Sequence, residues 1–263
     1  SHIKVDKANN VWIRIKEKWS ILNTQTGELN TPNYDGKAAG GVNTAFCIYN
    51  NDLYTFIGQK VYRFNYAKNE FVFCLTLPDS DGNIRFARAY MGKLWIFVNN
   101  SGLYKIDMST FKIEDHYTLL TDYEGNSLRT FYIDKKGYIW FGTIDGIYIF
   151  DPTDGKLSHY KHSRTDPFSL PNNSIWEISE DRQSNVWIGT YSGTLCYVNI
   201  DENNAFKTYH PQNSGLNHTP VSAFAEDQQY LWVGTEGGGI NRMNKATGEF
   251  SYITSCLLYT SPS

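Results

Sequence analysis

Tyr138-Ile139-Trp140-Phe141-Gly142-Thr143, Asn185-Val186-Trp187-Ile188-Gly189-Thr190 and Tyr230-Leu231-Trp232-Val233-Gly234-Thr235 share one pattern: apolar, Trp, apolar, Gly, Thr. Weaker copies stand at Lys93-Leu94-Trp95-Ile96-Phe97 and Asn10-Val11-Trp12-Ile13-Arg14. The weakest, Asp52-Leu53-Tyr54-Thr55-Phe56, has Tyr in place of Trp. The anchors at 12, 54, 95, 140, 187 and 232 are separated by 42, 41, 45, 47 and 45 residues. A period in the low to middle forties fits a propeller blade of four short strands. The fifth unit displays all four: Ser174–Ser179, Val186–Thr190, Thr194–Val198 and Ala205–Tyr209. Each is about five residues long, rich in aromatic and β-branched types and bounded by turn residues. The expectation is an all-β fold, a β-propeller with six four-stranded units visible, as a piece of a seven-bladed or double propeller or by itself. The units run over 3–30, 41–76, 82–118, 127–161, 173–210 and 219–254. Residues 255–263 leave the pattern and read as an artefactual tail or the start of a next unit. A pair of β-sandwiches has no reason to repeat one sequence six times, and no stretch keeps the 3.6 period of a helical solenoid.

The turns carry mechanisms of their own. Gly102, Gly146, Gly193 and Gly238 follow their anchors by six or seven residues, where a tight hairpin between the second and third strands needs positive φ. Asp6, Asp134 and Asp181 each stand six residues before a Trp, where a carboxylate can cap the preceding turn. A sialidase-type Asp box has a tighter spacing. The Trp anchors recur once per unit, as inter-blade packing positions should.

Composition bounds the rest. The chain has 263 residues and a net charge of −3, so nucleic acid is not an expected partner. Hydrophobic residues at 41 %, with 21 Gly, exclude a disordered chain, and 41 aromatic residues favour strands. Cys47, Cys74, Cys196 and Cys256 show no metal spacing; the first three lie in strands and read as small apolar residues. No apolar run approaches the roughly 18 residues a membrane helix needs. No nucleophile-elbow, zinc-protease or phosphate-loop motif is present, no cofactor is expected, and Gly237-Gly238-Gly239 reads as a hairpin turn.

A ligand is expected on the face formed by the links between blades and by the turns between second and third strands. The links 30–42, 118–127, 160–173 and 209–219 are long, and long loops on a rigid scaffold are where binding tends to reside. Aligned first strands begin with an apolar residue (Val42, Ile84, Leu128, Ile175, Val221) followed by a variable one: Asn43, Arg85, Arg129, Trp176, Ser222. Structural positions in a repeat repeat, whereas recognition positions vary, so this set is the candidate binding ring. Asp145, Tyr191 and Glu236, just past the Gly-Thr pairs, join it, with Tyr123 and Arg164 from the links; Tyr34, His162 and His218 are further link residues. Aromatic planes with Arg, amide and carboxylate groups suit sugars. Arg85 and Arg129 at one ring position favour an acidic oligosaccharide, with Asp145 neutralising one of them and Trp176 stacking a sugar ring. The two histidines lack the partners a metal site needs.

The run Tyr160–Asp181 continuing through Trp187-Ile188-Gly189-Thr190, and the run from Ala225-Glu226-Asp227 to Arg242, resemble the two-component regulator propeller repeat. The match is specific in units four to six and diffuse in units one to three. The resemblance implies the periplasmic sensor half of a hybrid two-component system of polysaccharide-degrading bacteria. In that family two seven-bladed propellers precede a β-sandwich, a membrane helix and a histidine kinase, and an oligosaccharide is the ligand. It also implies that this segment is not an enzyme, that it meets a membrane only through downstream segments, and that the full-length sensor is a homodimer. This chain departs in showing six units and none of the downstream modules. A propeller enzyme, either a lyase or a glycoside hydrolase, and a protein-interaction scaffold remain the alternatives.

Overall fold

The computed structural model describes residues 3–6, 9–15, 18–34, 37–38, 46–50, 52–78, 82–121, 128–166, 168–191, 195–199, 206–209 and 211–253. Among them there is no helix; strands form six sheets, each built on four antiparallel strands in sequence order, the blades of a six-bladed β-propeller. The chain divides into two compact units, 1–125 and 126–263, with three blades in each. Strands are lettered a to d along each blade.

In the first unit, blade one is Ile3–Val5, Asn10–Ile15, Lys18–Asn23 and Leu29–Asn30. Blade two is Phe46–Tyr49, Asp52–Ile57, Lys60–Asn65 and Glu70–Thr76. Blade three is Ile84–Tyr90, Lys93–Val98, Gly102–Asp107 and Ile113–Tyr117. The link before blade two is not wholly a loop. Asn33–Tyr34 pairs in parallel with strand d of blade two, and Lys37–Ala38 pairs with it in turn, so that sheet has six strands. The added hairpin covers what would otherwise be an open sheet edge.

In the second unit, blade four is Leu128–Ile133, Ile139–Thr143, Gly146–Asp151 and Lys156–Tyr160. Blade five is Ile175–Glu180, Val186–Thr190, Leu195–Val198 and Lys207–Tyr209. Blade six is Val221–Glu226, Tyr230–Thr235, Gly239–Asn244 and Phe250–Ile253.

The anchors occupy strand b, and Trp12, Tyr54, Trp140 and Trp187 pack onto the following blade of their own unit. Trp12 lies in a cluster with Leu53, Phe64 and Phe71 of blade two, edge-on to Phe64 at 4.8 Å between ring centroids. Tyr54, the weakest copy, is buried against Ile84, Leu94 and Ile96 of blade three. Trp140 packs on Ile175, Ile178 and Ile188 of blade five, and Trp187 on Val221, Leu231 and Val233 of blade six. Trp12, Trp95, Trp140 and Trp187 are buried. Trp232 is only half-buried, which corrects the expectation that every anchor is core. The Arg242 guanidinium, 5.8 Å from its ring, lies over it.

The glycine after the anchor has a packing reason. A Cβ on Gly142 would come within 2.5 Å of Thr130 Cγ2 in its own blade and 2.7 Å of Ile175 Cγ2, and one on Gly189 within 2.8 Å of the Val221 carbonyl oxygen. Ile175 and Val221 belong to strand a of the next blade, so the Gly also lets consecutive blades approach. The Thr that follows closes the b–c turn: Thr143 Oγ1 donates to the Gly146 carbonyl (2.9 Å) and Thr235 Oγ1 to that of Gly239 (3.1 Å).

The capping aspartates do more than cap. Asp134 Oδ1 accepts from the backbone N–H of Lys136 and Tyr138, and Oδ2 accepts from the Trp140 indole at 2.8 Å. Asp6–Trp12 (2.8 Å), Asp181–Trp187 (2.7 Å) and Asp227–Trp232 (2.8 Å) repeat the pair. Blade three has Ala89 where the acid would stand, six residues before Trp95, and the buried Trp95 Nε1 has no hydrogen-bond partner. Burial raises the Asp134 carboxyl above its usual range, whereas backbone and indole donors hold Asp227 below it.

Basic residues in the a–b turns reach the next blade. Lys135 donates its backbone N–H to Glu180 (2.8 Å), and its ammonium donates to the Asp181 carbonyl. Arg182 reaches Glu226 at 3.5 Å.

Candidate functional site

The variable position after the first apolar residue of strand a has a defined geometry. Ile84 pairs with Val98 but Phe86 with the adjacent Phe97, so Arg85 is an extra residue. The same shift leaves Arg129 between Leu128 and Thr130, Trp176 between Ile175 and Glu177, and Ser222 between Val221 and Ala223. All four are β-bulge residues, each at the end of strand a beside the b–c turn. A bulge turns a side chain out of the regular alternation, a device common beside binding sites. The preceding residues Ile84, Leu128, Ile175 and Val221 are buried and hold the strand in place. Hydrogen bonds join the b–c turns to the links at this end: Tyr191 N–H to the Ser174 carbonyl (2.9 Å), Glu236 N–H to that of Pro220 (3.0 Å) and Gly146 N–H to that of Asn173 (2.7 Å).

In the second unit the structure brings three candidates together. The Arg129 guanidinium carbon lies 4.8 Å from the centre of the Trp176 ring and 5.8 Å from that of Tyr191. The two rings are 5.6 Å apart at 32°. Arg129 comes from blade four, Trp176 and Tyr191 from blade five. Tyr191 is 54 % exposed, and Arg129 and Trp176 are half-buried.

The other candidates stand apart from this cluster. Asp145 pairs with Lys161 at 2.6 Å, so the expectation that it neutralises a ring arginine is corrected. Ser222 Oγ turns back to the Gly234 carbonyl at 3.5 Å. Glu236 and Arg164 are exposed on a turn and a link. Arg85 belongs to the first unit, with its guanidinium carbon 5.7 Å from the Phe86 ring. Asn43 and Tyr123 lie outside the described residues, as does the Tyr34 side chain.

The long link 160–173 is built rather than open. His162 Nδ1 bonds the Leu170 carbonyl at 2.7 Å, Ser163 N–H donates to Ser169 Oγ at 2.9 Å, and Leu170 is fully buried in the core of blades four and five. Among the described residues no group of His, Cys, Asp and Glu could hold a metal ion. Cys47 and Cys196 are buried, and burial pushes the Cys74 thiol up to about 11.

Sequence reading missed a groove of about 680 Å³ on blades five and six, at the end carrying the a–b and c–d turns. Gln183, Tyr197, Tyr209, Gln229 and Asn244 line it. Its acid, Asp181, is already spent on the Trp187 indole and on backbone donors. The only sequence signal for it is the density of amide residues in those turns.

Residues 122–145 and 169–192 match the two-component regulator propeller family. The two segments start 47 residues apart, as do Trp140 and Trp187, so both carry strands a and b of a blade. No curated protein is recognisably similar in sequence. Among solved structures the chain is similar to the extracellular domain of BT4673 from B. thetaiotaomicron, described as a hybrid two component system. There the TM-score is 0.70 at 14 % identity, over 96 % of this chain and 36 % of that one. It is likewise similar to the extracellular domain of BT3049 from B. thetaiotaomicron, also described as a hybrid two component system. The TM-score is 0.68 at 18 % identity, over 96 % of this chain and 34 % of that one. The chain thus spans about a third of the length of either domain, and likeness at these identities is one of fold. Two segments of the chain thus match the two-component regulator propeller repeat, and they lie in a β-propeller fold.

Proposed function

We propose that the chain is an extracytoplasmic sensing propeller of a hybrid two-component sensor, working in the periplasm and binding an oligosaccharide without turning it over. The supporting observation is the run of bulge residues at one end of the blades, where the scaffold repeats and the side chains differ. Arg129, Trp176 and Tyr191 there supply charged donors and aromatic faces, the pairing that takes sugar hydroxyls and sugar CH surfaces. The histidine kinase and the membrane segment of this reading belong to other parts of a full-length sensor. Differential scanning fluorimetry against a panel of defined oligosaccharides, with product analysis of the same samples, tests it. The expected result is a concentration-dependent rise in melting temperature with the sugar recovered intact. Cleaved or unsaturated products would make the chain an enzyme, and a protein partner captured in the absence of any sugar effect would make it a scaffold.

A further inference from the structure

We propose that Arg129, laid on Trp176 and Tyr191, is an oxyanion subsite that receives the carboxylate or sulfate of an acidic saccharide, an inference that rests on the oligosaccharide reading above. The observation that carries it is an unmet donor. Arg129 Nη1 is buried and, among the described residues, has no hydrogen-bond partner, and no described carboxylate pairs with this guanidinium. A buried N–H left without an acceptor is unfavourable, and an incoming oxyanion would complete it. Asp145, the acid expected to neutralise a ring arginine, is committed to Lys161.

Arg242 provides an internal comparison. It too lies over two rings, Tyr230 at 4.5 Å and Trp232 at 5.8 Å, but its Nε donates to Ser251 Oγ at 3.0 Å. There the stacked arginine is a structural cover with its own acceptor. At Arg129 the stacking is the same and the acceptor is absent among the described residues. The aromatic planes fix the guanidinium plane, and a fixed fork suits an oxyanion that accepts two bonds at once. Trp176 is thereby a platform for the arginine as well as an aromatic face of the site.

Calorimetric titration tests this with two pairs of probes: trigalacturonate against its methyl ester, and a κ-carrageenan tetrasaccharide against its desulfated form. The first pair reads a carboxylate, the second a sulfate. The expected result is that at least one acidic probe binds and its neutral counterpart binds roughly tenfold more weakly or worse. Acidic binding weakens between about 50 and about 200 mM salt, as an exposed ion contact does. Arg129→Ala removes the preference for the acidic probe, Arg129→Lys keeps part of it, and Lys156→Ala, the same charge removed from an exposed strand, leaves it intact. Arg129→Lys also guards against a folding defect in the alanine variant. Equal binding of acidic and neutral members, or acidic binding indifferent to Arg129→Ala, overturns the anion subsite and leaves the oligosaccharide reading standing. Failure of all four probes, together with a flat fluorimetric screen, overturns both.

Discussion

At the residue scale the acid–indole pair is the most informative feature. The spacing of six between Asp and Trp is legible in three units, and a turn-capping role follows from the residue type. That the second carboxylate oxygen takes the indole N–H is a fact of side-chain direction, because the a–b hairpin folds the Trp back over the turn. Asp181→Ala should strand the Trp187 indole together with the backbone donors of Gln183 and Asn185, and lower stability by about 2–3 kcal/mol in chemical denaturation. The pairs also titrate in opposite senses. Asp134 has a folded pKa raised by burial, so the folded state binds the extra proton. Its contribution therefore improves as pH falls from the raised value towards the unfolded one. Asp227 has a lowered folded pKa, so its contribution is present above the unfolded value and is lost as pH falls through the folded one. Melting temperatures of Asp134→Asn and Asp227→Asn across acidic pH should thus differ from the parent with opposite slopes. Parallel curves would show that the two environments are alike.

At the scale of the element, blades are stacked through strand b of one and strand a of the next. Gly142→Ala and Gly189→Ala each push a methyl into the following blade and should cost about 1–3 kcal/mol. In Gly234→Ala the added Cβ would meet only Ala223 Cβ of its own blade, at 3.3 Å, and the change should be milder. Urea titration of the three variants checks the order. Trp187→Ala opens the core between blades five and six and should cost about 3–5 kcal/mol, whereas Trp232→Ala should cost clearly less because its ring is half-exposed. The bulges were the hidden element. The sequence alignment places Arg85, Arg129, Trp176 and Ser222 at one position, but a one-residue register shift leaves no mark on composition or periodicity. The hairpin 33–38 was equally invisible, because two-residue strands are too short to show alternation.

At the scale of the whole molecule, the second strands of blades four and five are the most deeply buried layer. Ile139–Thr143 and Val186–Thr190 are buried at every residue, while Phe250–Ile253 is largely exposed. Hydrogen exchange followed by mass spectrometry should find strands b of blades four and five the slowest and the last strand of blade six fast. Comparable rates in both would contradict a fold organised in layers around strand b. The sequence by itself determined the repeat, the four strands per blade and the anchors, including Tyr54 in place of a Trp. These rest on local rules, alternation and turn chemistry, which each unit of some 41 to 47 residues restates. It also singled out one variable position near the start of strand a, because variability at a repeated place is visible in one chain. Only the tertiary structure decided which ring residues meet. Arg129 and Tyr191 are separated by 62 positions, and they touch because blade five stacks on blade four through Gly142 and Ile175. It alone assigned Asp145 to Lys161, closed the 160–173 link on Leu170 and left Arg129 Nη1 without an acceptor among the described residues. Contacts of that kind depend on how faces pack across blades, and no local pattern in the chain encodes them.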